Sequence, residues 1–578
     1  MSEQKNMILA IVLCLVIIVG FQYFVEPPVT EDQTVEQTSG TDATGATPSP
    51  GATSGASGTN APTVGSSVAT QAMTRADALK QSARVQINTP SLHGSISLKG
   101  ARLDDLTLIN YREEVDPNSP EIKLLSPVGS PNPYYAEFGW TGAADSNVKL
   151  PNSQTIWSTS ATTFTPEKPL VLTWDNGEGL IFTRTYTLDD HFLFTVEQTV
   201  QNNTDQPVTL FPYGLISRTG IPETQGFYIL HEGPIGVFNE TLEEIDYDDL
   251  MEEGPRANDS KGGWIGITDK FWLTALVPDQ NADLKNRFTY IKQGDRFQTD
   301  YINQQGVTVA ADSTTTVTNH MFAGAKEAHL LDKYQEEMGI DRLELAIDWG
   351  WFYFLTRPMY VALEWLDGLI GNLGLAILAL TVIIKLILLP LAHKSYVSMS
   401  KMKKLQPEMV KLREKYGEDR QKLNQEMMAL YKREKANPAA GCLPILVQIP
   451  IFFSLYKVLF VTLLMRHQPF YGWIQDLSAP DPTSIFNLFG LIPWTPPEFL
   501  MIGILPLLMG LSMYLQQKFN PQPADPVQAK IFMFMPIFFT FLLASFPAGL
   551  VIYWTWNNIL SIAQQWYIMR RMGVSVNG

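Results

Sequence analysis

The chain is poor in the residues that usually carry covalent or metal chemistry. Its 578 residues include two cysteines, Cys14 and Cys442, set far apart in different apolar segments. That leaves no disulfide framework and no thiolate metal site. Charge is scarce as well, with 17% of residues charged against 45% hydrophobic, a balance that points away from a soluble globular chain and toward a membrane protein. There are seven histidines, and His93, His191, His231 and His320 are scattered without ligand spacing, so they read as ordinary polar or packing residues. No Walker phosphate loop, Ser-His-Asp order or metal-ligand motif occurs in the apolar spans, so no cofactor is expected and nothing is there to hydrolyse a nucleotide. The spans around the central basic loop have no duplicate elsewhere, which disfavours an inverted-repeat transporter.

What is present divides by region. Residues 26–348 hold 45 acids and 21 bases, net −24, while the remainder is net +8. An acidic domain and a basic apolar body therefore share the chain. The apolar run Met7–Val25 is long enough to span a bilayer, and no small-x-small cleavage site follows it, so segment 1–25 is expected to be an uncleaved anchor. Segment 26–82, mostly Thr, Ser, Gly, Ala and Pro, reads as a flexible linker.

From residue 83 the hydrophobic period becomes two. Phe192, Phe194, Val196 and Val200 alternate with Thr195, Glu197 and Thr199, and Asp175-Asn176-Gly177 punctuates two such runs as a hairpin turn. Many short strands without alternating helices predict an all-β sandwich over 83–348, ending in a helical segment where Leu330, Leu331, Tyr334, Met338, Leu343 and Ile347 recur. The acidic run from Glu240 to Glu253 lacks the alternating ligands and central Gly of a calcium loop and reads as a solvated loop.

Residues 349–371, aromatic yet carrying Arg357, Glu364 and Asp367, predict an amphipathic helix lying in the membrane interface. The apolar span 372–391 follows, and inside it stands Lys385. A lone Lys in hydrocarbon costs about 2.5–3.5 kcal/mol, which makes it a functional hypothesis by default. Segment 392–440 contains twelve Lys and Arg against six acids between Ala392 and Asn437, so the positive-inside rule makes it cytoplasmic. Its two helical halves, broken at Tyr416-Gly417, predict a helical hairpin. Lys401, Lys403, Lys404, Lys411, Arg413 and Lys415 on it are candidates for docking anionic phospholipid, RNA or a protein, against the plainer reading of a topological charge. Further spans are predicted at 441–465, 499–517, 531–546 and 549–568, joined by an outer or interfacial segment 466–498, a cytoplasmic loop 518–530 and a cytoplasmic tail 569–578. The fold class is thus a polytopic α-helical membrane protein of six spans with both termini cytoplasmic, the acidic sandwich outside.

Polar residues recur within the spans. Thr381 lies one turn before Lys385; Gln448 sits between Pro444 and Pro450; the last span carries Asn557, Ser561 and Gln564 at i, i+4, i+7, with Asn558 and Gln565 beside them and Tyr553 and Trp554 a turn earlier. Facing one another around a wet cavity satisfies such groups in lipid. The alternative is that the amides glue helices together and Lys385 snorkels to the cytoplasmic edge. Lys457, near the outer end of its span, is expected to snorkel outward.

The stretch QEMMALYKREKANPAAGCLPILVQIPIF, Gln425–Phe452, and the Phe546–Leu550 turn resemble the YidC family of membrane protein insertases. The resemblance implies a five-helix insertase core, an all-β periplasmic supersandwich and a groove open to cytoplasm and lipid. Residues Lys385, Thr381, Gln448, Tyr553, Trp554, Asn557, Asn558 and Ser561 would line that groove. Lys385 stands where many members carry Arg, giving up a bidentate fork for a point charge. The implied partners are nascent membrane proteins, the ribosome and signal-recognition targeting machinery, and the Sec translocon, with a monomer sufficient and no enzymatic activity. A channel or solute transporter and an anchored sugar-binding sandwich are the competing classes.

Overall fold

The computed structural model describes residues 61–62, 73–143, 146–224, 230–416, 419–434, 443–490, 492, 494, 496–497, 501–520 and 526–573. The expected anchor 1–25, Cys14 and Cys442 lie outside the described residues. The described residues all fall within one unit, Gly55–Gly578.

Residues 84–325 form two sheets, one of eleven strands and one of eight. Their pairings are antiparallel except for the short pair Gln86–Ile87 with Thr163–Phe164. Alternation dictates the packing: on strand Leu193–Asn202, Phe194, Val196 and Val200 are wholly buried between the sheets while Glu197 and Gln201 face outward. Burial of each such side chain is worth about 1.5–3 kcal/mol. The hairpin at Asp175-Asn176-Gly177 forms as predicted, with the Asn176 N–H donating to the Leu180 carbonyl at 3.0 Å and Gly177 at φ 77°.

Two sequence expectations need correction here. The linker 26–82 is ordered where it is described: helix α1, Arg75–Leu79, starts at the Thr74 cap, and Arg75 bonds Asp105 at 2.5 Å. The acidic run is no loop. It makes strand Thr241–Glu244 and helix α2, Tyr247–Glu253, because Tyr247 and Leu250 have core to fill.

Helix α3, Ala328–Met338, ends where Gly339 takes φ 64°. Helix α4, Tyr353–Ile370, leaves Phe354, Trp365 and Leu369 about two-thirds exposed, an apolar stripe of the kind an interfacial helix presents. It stops at Gly371, φ 73°. Helix α5, Leu373–Ile387, is started by Asn372, whose side chain accepts from the Leu375 N–H at 3.0 Å. The chain then bends 68° into α6, Leu389–Tyr416, a bend that falls inside the expected span 372–391. The cause is Pro390, which removes a helix donor and disfavours helical backbone at Leu389. Helix α7, Arg420–Arg433, returns along α6, joined by the Arg433–Glu408 ion pair at 2.8 Å and by Leu405 against Leu430. Helices α8, Leu443–Val461, α9, Ile504–Phe519, α10, Pro526–Leu542, and α11, Ala548–Arg571, complete the body. Among the described residues no single helix is long and apolar enough to cross a membrane; α5 with α6 passes as a bent pair.

The β domain meets the helices at one end of α8. Lys457 Nζ donates to Asp348 at 2.6 Å, so this lysine ends on a carboxylate of the β domain's own tail. The Lys270 ammonium lies 3.8 Å from the Phe460 ring centroid, and the Arg466 guanidinium covers Trp272 at 5.3 Å and donates to the Arg112 carbonyl.

Close by, Lys326 is buried and donates to Thr268 Oγ1 at 3.0 Å. Burial pushes its ammonium down to about 8 against the pull of Asp269 and Asp348. Burial pushes Lys270 down to about 8 as well. A base lowered in the folded state binds fewer protons there than when unfolded, so stability falls as pH drops from about 10.5 to 8. Between pH 8 and pH 10.5 the pH slope of the denaturant midpoint is therefore expected to be less positive in Lys326→Met than in wild type, the buried tyrosines that titrate in the opposite sense being common to both. An unchanged slope in the variant would remove Lys326 as its source.

Candidate functional site

Helix α11 is the polar hub of the helical body. Lys385, in the last turn of α5 where the carbonyl end of the helix favours a cation, donates from Nζ to Ser561 Oγ at 2.9 Å. Ser561 Oγ in turn donates to the Asn557 carbonyl at 2.8 Å. Gln448 Nε2 on α8 donates to the Tyr553 hydroxyl at 2.9 Å. Trp556 Nε1 donates to the Leu378 carbonyl at 3.2 Å. On the side facing α9, Asn558 Nδ2 donates to Ser512 Oγ and Gln565 Nε2 to Asn520 Oδ1, at 2.9 and 2.8 Å. One helix thereby offers polar groups to three neighbours.

The candidate residues do not all act together. Lys385, Ser561 and Asn557 form one cluster, and Gln448 with Tyr553 another on the same helix. Thr381 is buried and its hydroxyl is spent on the Ile377 carbonyl at 2.7 Å, so it shares a helix face with Lys385 without bonding it. Trp554 is engaged in apolar contacts: its ring meets Phe452 edge-on at 4.6 Å and Phe539 at 5.8 Å, bridging α8 and α10. Asn558 faces α9, where Ser512 is a partner that sequence reasoning missed; the small pair Gly510 and Ser512 in an otherwise bulky helix was the available signal.

The seam holds buried acceptors without a partner among the described residues: Asn557 Oδ1, Gln564 Oε1 and Gln565 Oε1. A buried acceptor left unsatisfied costs about 1–3 kcal/mol, so such a row is stable only with water or a visiting polar chain beside it. Two shallow surface hollows lie elsewhere, one along Tyr353, Arg357 and Trp365, the other along Lys530, Phe534 and Phe538. Neither is lined by Lys385.

On the hairpin, Lys403 Nζ donates to the Lys518 carbonyl at 3.1 Å and Lys404 Nζ to the Met572 carbonyl at 2.7 Å. These carbonyls close α9 and α11, so two of the six docking candidates fasten the hairpin to the helix ends. Lys401 is half-buried, while Lys411, Arg413 and Lys415 are exposed. Among the described residues no cluster of His, Cys, Asp and Glu could hold a metal ion.

An all-β domain joined to apolar helices, with polar side chains gathered along α11, defines a two-part class of sandwich and helical body. Comparison with known proteins makes the class specific. Residues 84–362 match the family description "YidC periplasmic domain" and residues 365–575 the "60Kd inner membrane protein" family. The chain is 52% identical to "Membrane protein insertase YidC" of Methylorubrum extorquens (strain PA1), covering 100% of this chain and 96% of that protein. It is 50% identical to the protein of that name from Methylobacterium nodulans, over 100% and 96%. With the Rickettsia canadensis (strain McKiel) protein it shares 52% identity over 84% of this chain and 87% of the other. The chain belongs to the YidC family of membrane protein insertases. Its all-β part is the periplasmic-type domain and its helical part the inner-membrane body, and its clients are nascent membrane proteins.

Proposed function

We propose that the seam around α11 is the insertion groove: a water-filled recess, open to cytoplasm and lipid and closed outside, in which Lys385 draws acidic or carbonyl groups of a client's outer segment. Six spans carry it, with both termini and the helical hairpin cytoplasmic and the β domain periplasmic. The supporting observation is the Lys385–Ser561 bond between α5 and α11, flanked by the amide oxygens of Asn557 and Gln564, which have no partner among the described residues. Gln448 and Tyr553 add a second polar rung, and Thr381, Trp554 and Asn558 brace the helices that hold the two clusters.

The energetics are those of a balance tipped by shortening a path. About a dozen apolar residues entering lipid contribute roughly 4–7 kcal/mol, while each translocated charge costs about 2.5–3.5 kcal/mol. A wet half-groove reduces the dry distance the charge must cross, and partitioning of the client's own span supplies the drive. No nucleotide or cofactor takes part. Lys411, Arg413 and Lys415 supply the exposed basic surface for anionic phospholipid, the ribosome or its targeting machinery, with Lys401 beside them and Lys403 and Lys404 holding that surface against the groove's cytoplasmic end. One copy suffices, alone or beside the Sec translocon.

Photocrosslinkers at Thr381, Gln448 and Asn557 test the reading on ribosome-bound nascent membrane proteins. Positions 448 and 557 are expected to capture the client and the buried 381 to do so far less. Crosslinks from none of them, together with ion conduction or solute uptake by the purified protein, would reassign the seam to transport.

A further inference from the structure

The outer face of the large sheet is polar, yet buried. Neighbouring strands Tyr134–Gly142, Val208–Thr219, Arg296–Asn303 and Asp283–Ile291 set Glu137 opposite Leu215, Leu215 opposite Asp300 and Asp300 opposite Arg287. Directly paired residues share a face. Gln298 and Asp300 are at most 1% exposed. An outer face normally stays wet, so something covers this one.

Part of the cover is the chain's own tether. Ala61, 3% exposed, closes a small apolar floor of Tyr135, Tyr213, Leu215 and Ile302. Its carbonyl accepts from Arg287 Nη2 at 2.8 Å, and the next carbonyl, of Pro62, accepts from Gln298 Nε2 at 3.1 Å. Both donors are aimed by one carboxylate: Asp300 Oδ2 accepts from Arg287 Nη2 at 3.1 Å and from Gln298 Nε2 at 2.7 Å. The ring of Tyr213 takes its place in this floor because Gly139 has no Cβ to meet it.

The chemistry reads main chain. Two fixed donors take consecutive carbonyls, and the floor has room for a methyl group. A residue preceding proline is biased toward extended backbone, and proline-rich segments are already extended with carbonyls outward. Glu137 and Asp300 beside the floor are paired with Arg102 and Arg287 at 2.8 and 3.1 Å, so a ligand's charge would meet ion pairs that are already closed, which favours an uncharged one.

We propose that this face is a peptide-binding site for extended, uncharged segments rich in Ala, Pro, Ser and Thr, and that Ala61–Pro62 fill it as a resident, displaceable ligand. A tethered ligand acts at an effective concentration on the order of a millimolar. A site with Kd near 0.1 mM is then about nine-tenths filled by its own chain, and expelling that ligand tightens the apparent Kd for a free peptide about tenfold.

The test uses the full chain in detergent and a fluorescein-labelled peptide with the sequence of residues 57–65, followed by anisotropy. The doubly substituted chain Ala61→Asp, Pro62→Asp is expected to bind the peptide about tenfold more tightly than wild type, and adding Gln298→Met to abolish the gain. A peptide with Asp at its alanine position, which tests the floor without touching the fold, is expected not to bind. Equal affinity in wild type and the double variant, binding that tolerates both the Gln298→Met change and the Asp peptide, or capture of an uncharged oligosaccharide with no peptide response would each overturn the assignment.

Discussion

Lys385→Glu is expected to lower insertion of clients with acidic outer segments by about tenfold or more, while Lys385→Arg stays close to wild type. The size follows from charge. Two unit charges about 4 Å apart near a protein surface interact by roughly 4 kcal/mol, and even a third of that, left after screening by water in the groove, is about a tenfold change in rate. Glu at 385 would also repel the carbonyl end of α5, an added cost of about 0.3–1 kcal/mol. Lys385→Met separates the two terms, because it removes the charge without reversing it. Clients whose outer segments are uncharged are expected to lose little in any of the three variants. The measurement is protease protection of clients in reconstituted vesicles, with the variants' melting temperatures recorded alongside. Equal insertion by the Glu and Arg variants at equal stability would take the cation out of the mechanism.

The second large effect lies outside the seam. Asp481 is 3% exposed, and its carboxylate accepts from Trp473 Nε1 at 3.1 Å, from the Thr483 N–H and hydroxyl at 3.0 and 2.7 Å, and from the Leu505 N–H at 2.8 Å. It thus caps the start of α9 from across a loop, and a side chain at Gly503 would overlap it. Asp481→Ala removes a cap worth about 1 kcal/mol and strands buried donors at about 1–3 kcal/mol more. A loss of roughly 3 kcal/mol is expected in the unfolding free energy, with Asp481→Asn intermediate because one amide oxygen still accepts. Helix α9 holds Asn558 through Ser512, and Thr540 of α10 packs where Gly510 lacks a side chain, so insertion should fall with stability. A fully stable Asp481→Ala protein would show that α9 needs no such cap.

Hydrophobic period and charge asymmetry made the main outline readable. They separated sandwich from helices, predicted the hairpin and drew attention to Lys385, because a helical repeat says which residues share a face. It does not say what that face meets. The Lys385–Ser561 and Gln448–Tyr553 bonds join residues more than a hundred positions apart and depend on how α11 is rotated. The bend at Pro390 was written in the chain, but hydropathy averages across one proline. Asp481 sits in a short run of Pro, Asp and Thr that resembles any surface turn; only the fold makes it a cap. Docking of Ala61–Pro62 was hidden for a related reason: a low-complexity segment carries no period, and its hold comes from donors and an apolar floor on the sheet.

The central claim, that the seam along α11 is wet from the cytoplasmic side, can be read directly with a single cysteine at 557 after Cys14 and Cys442 are replaced. A membrane-impermeant thiol reagent should modify it in inside-out vesicles and leave it untouched in right-side-out vesicles. A thiol that resists the reagent from both sides until the protein is denatured, or that reacts from the outside, would contradict the account.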